Sequence, residues 1–192
     1  MPNVKQQFEA GLDTIKTLTG LQTADFDLLK EAAPQARQWS GEMAKMFYDT
    51  LFAHNRTASV FHAGERPERE KTLETWYLSL FDVDDEQEFF QRQARIGLAH
   101  IRRHVNNEFM IGIAARIRGL FQTRAVQTFG YERGIEISQA FDRVLNAVVG
   151  LTAEGYDVLS RAALMESTGA GPMLIDRLIQ QSVDDFEQEL LA

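Results

Sequence analysis

The chain has 192 residues, 44% hydrophobic and 25% charged, with a net charge of -8 and no cysteine. That length suits one globular domain with room for a ligand-sized cavity. The acidic balance argues against a nucleic-acid surface, and the missing thiols exclude disulfides, thiolate nucleophiles, iron–sulfur clusters and thioether-anchored cofactors. No apolar run approaches the roughly 20 residues that span a membrane, and Met1 to Ala10 lacks the basic-then-apolar pattern of a signal peptide, so a cytoplasmic protein is expected.

Helical periodicity dominates and no segment sustains strand-like alternation, so the expected class is all-α. A first helix is expected from Val4 to Leu18, ending at Gly20, and a second from Thr23 to Ala33, stopped by Pro34. Within the first fifty residues five basic side chains face seven acidic ones, which disfavours an N-terminal DNA-reading module. A third helix from Gln35 to His54 carries Tyr48 on a face with Ala44, Leu51 and Phe52.

Pro67 suits the first turn of a helix that brings Leu73, Trp76, Tyr77 and Leu80 to a core. Asp85 with Glu88 reads as a capping pair for the next helix, where Phe89, Gln93, Ile96 and His100 share one inward face. Two long helices follow, Asn107 to Phe129 and Glu132 to Leu164, with stripes that include Phe109, Ile113, Ile117 and Leu120, then Ile137, Phe141, Val144, Val148 and Leu151. These two helices are the expected oligomer surface. Gly169, Gly171 and Pro172 break the chain before a last amphipathic helix with Ile175, Ile179, Val183, Phe186 and Leu190, which reads as a tail.

The four histidines are His54, His62, His100 and His104, and the last two lie one helical turn apart. A zinc hydrolase would need Glu directly after the first of such a pair, where Ile101 stands. A di-iron bundle would need Glu three residues before a histidine, which none has. A haem would need a neutral imidazole on one side of an apolar slot and, for gas binding, a hydrogen-bond donor on the other. His100 and Tyr48 are candidates for those places, although an inward histidine and a half-buried tyrosine are also ordinary core residues.

Several segments together resemble the globin-coupled sensors and their relatives the protoglobins. Phe47-Tyr48-Asp-Thr-Leu51 followed by Thr57-Ala-Ser-Val-Phe61 looks like the family's Phe-Tyr helix and Thr-Ala-x-x-Phe corner. Lys71 to Trp76 and on to Phe81 is similar to its distal helix, and Arg95-Ile-Gly-Leu-Ala-His100-Ile-Arg102 to its proximal helix. The order and spacing agree over about Thr23 to Ala163.

The resemblance implies a globin-like helical sandwich with an extra N-terminal helix (1–22), a haem domain (23–165) and a C-terminal linker and helix (166–192). It implies haem b with iron on His100, Tyr48 on the opposite side, and walls that include Phe47, Phe61, Leu73, Trp76 and Ile96. Oxygen, carbon monoxide or nitric oxide would bind, and a homodimer through the last two globin helices would carry the signal to a partner. Such a protein is a sensor rather than an enzyme. A haem enzyme acting on nitric oxide or oxygen and a haem-free, globin-like stress-signalling module are the other two readings. The family usually has Ile-Gly where this chain has Arg103-His104, which predicts a differently shaped loop and leaves His104 as a competing ligand.

Overall fold

The computed structural model describes residues 4–191. Among them are nine α-helices and one 3-10 turn, with no strand: α1 (Val4–Thr19), α2 (Thr23–Ala36), the 3-10 turn Arg37–Trp39, α3 (Ser40–Phe52), α4 (Asn55–Ala58), α5 (Arg66–Ser79), α6 (Glu86–Arg102), α7 (Asn107–Phe129), α8 (Tyr131–Thr168) and α9 (Pro172–Leu191). None of these helices is long and apolar enough to cross a membrane. The helices enclose one hydrophobic core, as the all-α reading expects, with α1 and α9 at the two ends of the chain.

Several boundaries follow from capping chemistry. The Asp85 carboxylate accepts the backbone N–H of Glu88 at 3.0 Å, which opens α6 where the capping pair predicts. Pro67 occupies the first turn of α5, where its missing N–H is harmless. Pro34 does not stop α2 as expected. The helix continues to Ala36 because proline removes a single hydrogen bond while Ala32, Ala33 and Ala36 are buried on the core side.

Helix α8 is the spine of the molecule. Helix α1 lies on it through Phe8, Leu12 and Ile15, and the helices come close because α8 offers glycines there: a Cβ at Gly155 would stand 3.2 Å from Phe8, and one at Gly150 would stand 3.3 Å from Ile15. Helix α6 packs on the same spine at Gly97, where a Cβ would meet Thr152 at 3.2 Å. Buried Asp25, at the start of α2, accepts both Arg143 of α8 at 2.6 Å and the backbone N–H of Gln22 at 2.9 Å. A stack of Phe121 on Phe141, ring centroids 3.9 Å apart and 12° from parallel, forms the middle of the core with Phe81 and Tyr77 against it.

That core corrects one expectation. The stripes on the two long helices do not face outward: Ile113, Ile117, Ile137, Phe141, Val144, Val148 and Leu151 are all buried within the single chain. Residues that repeat along one face of a helix report burial, and here the partner is the rest of the same domain. The outer face of α7 instead exposes Ile111, Gly112, Ala115 and Gly119.

Candidate functional site

Between α3, α5, α6, α7 and α8 lies a cavity of about 240 Å³. Phe47, Tyr48, Phe61, Leu73, Trp76, Ile96 and His100 all line it, so every site residue expected from the sequence meets at one place. His54, His62 and His104 lie outside its wall. The remaining wall is largely apolar, with Phe109, Met110, Ile113 and Ile117 from α7 and Leu145, Val148 and Val149 from α8.

His100 enters from the last turns of α6. It is half-buried, and its Nδ1 is buried with no hydrogen-bond partner. Burial, and secondly the positive charge of Arg103, hold its pKa below the ordinary histidine value. The ring is therefore neutral at physiological pH, the form in which an imidazole nitrogen keeps a lone pair for a metal.

Helix α6 ends directly behind that residue. The N–H of Val105 donates to the carbonyl of His100 at 3.0 Å and the N–H of His104 to the carbonyl of Ile101 at 3.1 Å, which is the paired closure of a Schellman cap. The cap requires a left-handed residue, and His104 supplies it at φ +55°. The loop thus makes the turn that glycine would favour, with a histidine in the left-handed position. His104 is turned outward and exposed by the same geometry.

Tyr48 stands on α3 at 6% exposure, with Phe47, Phe52 and Phe61 rings around it at 5.0 to 6.3 Å. Burial, opposed in part by the charge of Arg69, pushes its hydroxyl up to about 12. It is a permanent donor in a poorly solvated wall.

Gln93, Arg69 and Arg103 add polar groups to the cavity wall, and of these the sequence places only Gln93 on an inward face. Gln93 is buried, accepts the indole N–H of Trp76 at 2.9 Å, and leaves its Nε2 without a partner. Arg69 and Arg103 also line the wall, and both donate to the carboxylate of Glu65. The N–H of His62 reaches that carboxylate too, at 2.9 Å, and with the two arginines it lowers the Glu65 pKa to about 2. Helical spacing contained a signal for the two arginines as well, since Arg69, Leu73 and Trp76 follow at steps of four and three and Arg103 follows His100 by three.

The end of α6 is tied on both sides. Arg103 fastens it to Glu65 at the head of α5, at 2.9 Å, and the Tyr156 hydroxyl of α8 donates to the carbonyl of Val105. A displacement of His100 along its helix would therefore reach both α5 and α8.

A family model described as Protoglobin matches residues 8–157 of this chain. Among solved structures, the globin domain of the Geobacter sulfurreducens globin-coupled sensor is similar with a TM-score of 0.69 at 21% identity, over 75% of this chain and 96% of that one. No curated protein matches the chain.

Proposed function

The chain belongs to the protoglobin family, and from that premise we propose that it binds haem b in the cavity and serves as a sensor of a diatomic gas. One observation carries the proposal: His100 and Tyr48 line the same apolar cavity, one as a neutral imidazole with an unpartnered buried nitrogen and the other as a phenol held protonated.

These residues fit the group. His100 would hold the iron, Tyr48 would offer its hydroxyl to a bound gas, and Phe47, Phe61, Leu73, Trp76 and Ile96 would cover the porphyrin with apolar surface. The cationic Arg69 and Arg103 in the wall suit its carboxylates. When bound, the haem supplies an iron centre that takes oxygen, carbon monoxide or nitric oxide. The protein's own part is to keep the imidazole neutral, to exclude water with aromatic and aliphatic walls, and to offer one phenolic hydrogen bond, which favours polar dioxygen over carbon monoxide.

In this reading residues 23–165 are the haem domain, with 1–22 and 166–192 as flanking segments. Signalling runs from His100 through the capped end of α6 to Tyr156 on α8. A homodimer formed by α7 and α8 would use their outward faces, where Ile111 is 54% exposed beside Gly112, Ala115 and Gly119. An enzyme consuming nitric oxide would in addition need electrons delivered to the site. A haem-free module would leave His100 merely packed, and its orphaned nitrogen speaks against that.

Titration of the purified protein with haem tests the proposal. Trp76 lines the cavity, so its fluorescence is expected to quench to a sharp stoichiometric endpoint while a Soret band develops. Unsaturable, shallow quenching like that of a non-haem protein would reject it.

A further inference from the structure

Helix α9 leaves the body after one anchor. Ile175 is buried at its first turn and Asp176 pairs with Arg161 of α8. Beyond that turn Leu178, Ile179, Val183, Phe186 and Leu190 are 44 to 70% exposed, and α9 carries seven of the thirteen exposed large apolar side chains among the described residues. Ile179, Val183, Phe186 and Leu190 follow at steps of four, three and four, which aligns them as a seam on one face. An exposed apolar seam of this kind marks a contact surface.

Charge selects the occupant. The helix carries Asp176, Asp184, Asp185, Glu187 and Glu189 against the single cation Arg177, and Glu187 and Glu189 stand on the two flanks of the seam. A second copy laid on it would set carboxylate flanks against carboxylate flanks over a seam of less than two heptads, too little to offset the repulsion. An anionic bilayer is disfavoured for the same reason, because helices that lie on membranes carry Lys and Arg on the polar face. We propose that α9 docks into a separate protein chain whose apolar groove or helix is flanked by Lys and Arg, with Phe186 as the central anchor. Large aromatic side chains at the middle of a seam carry the most binding energy, and opposite flanking charges set the choice of partner.

The test uses the full chain and two labelled synthetic helical peptides, each with a leucine seam, one flanked by lysines and its twin by glutamates. Fluorescence anisotropy is expected to give saturable binding of the lysine peptide, at least about tenfold tighter than its twin and weakened by salt. Phe186→Asp is expected to abolish that binding while leaving the oligomeric state by sedimentation unchanged. Glu187→Lys together with Glu189→Lys should reverse the preference between peptides. Both variants sit on exposed positions, and circular dichroism is expected to show unchanged helix content. Equal binding of the two peptides, or none, overturns the proposal. So does a wild-type dimer that Phe186→Asp dissociates, which would make a second copy the occupant, or binding to phosphatidylglycerol vesicles that the same variant removes.

Discussion

The indole N–H of Trp76 donates to the amide oxygen of Gln93 at 2.9 Å and so joins α5 to α6 within the cavity wall. The bond is asymmetric in what its loss leaves behind. Trp76→Phe strands both polar atoms of a buried amide, whereas Gln93→Leu removes the already unpartnered Nε2 and leaves only a half-buried indole N–H. We expect Trp76→Phe to cost about 1–3 kcal/mol of unfolding free energy in urea, and Gln93→Leu to cost less. Equal losses would mean that the amide finds another partner.

His104 occupies the left-handed cap of α6 at φ +55°, a conformation that costs a non-glycine residue roughly 1–2 kcal/mol. Part of that is regained in the unfolded chain, where glycine is the more flexible. His104→Gly should therefore stabilise the protein by up to about 1 kcal/mol, and His104→Val should destabilise it, both read from thermal or urea unfolding. A destabilised His104→Gly would contradict the cap.

His100 has a folded pKa below its unfolded value because burial and Arg103 disfavour the charged ring. Below the ordinary histidine value the unfolded chain takes up a proton that the folded chain refuses, so stability is full above that value and falls as pH is lowered through it. Unfolding free energy should drop between neutral pH and the onset of carboxylate protonation, and His100→Gln should flatten the slope. An unchanged slope in the variant would place the titrating group elsewhere.

Tyr48 offers one hydrogen bond in a low-dielectric wall, worth about 0.5–1.5 kcal/mol, which corresponds to a factor of about 2 to 10 in an equilibrium constant. Tyr48→Phe is accordingly expected to speed oxygen dissociation by roughly that factor, measured by stopped-flow exchange against carbon monoxide, with little change in carbon monoxide binding. The unsubstituted phenol should also ionise only near pH 12, seen as tyrosinate absorbance. Equal effects on both gases would make Tyr48 a packing residue.

Much of this site was legible because its residues lie on helices whose periodicity states which way they face. Phe89, Gln93, Ile96 and His100 share a face by spacing alone, and Asp85 marks where that helix begins. The same periodicity misled at α7 and α8, since a stripe reports that something covers it without saying what, and here it is the chain's own Phe81, Phe121 and Phe141. Spacing turns Arg69 and Arg103 toward the cavity but does not show that they share a carboxylate. Arg69 and Arg103 are 34 residues apart, and only the fold brings both onto Glu65. The glycine contacts of α8 with α1 and α6 also depend on helix crossings that no local pattern encodes.

Absorption spectra of the haem-reconstituted wild type, His100→Ala and His104→Ala test the central claim most directly. The account predicts an intact Soret band in wild type and His104→Ala, its loss or strong displacement in His100→Ala, and its return when imidazole is added to that variant. A wild-type spectrum in His100→Ala, with the band lost in His104→Ala, would contradict it.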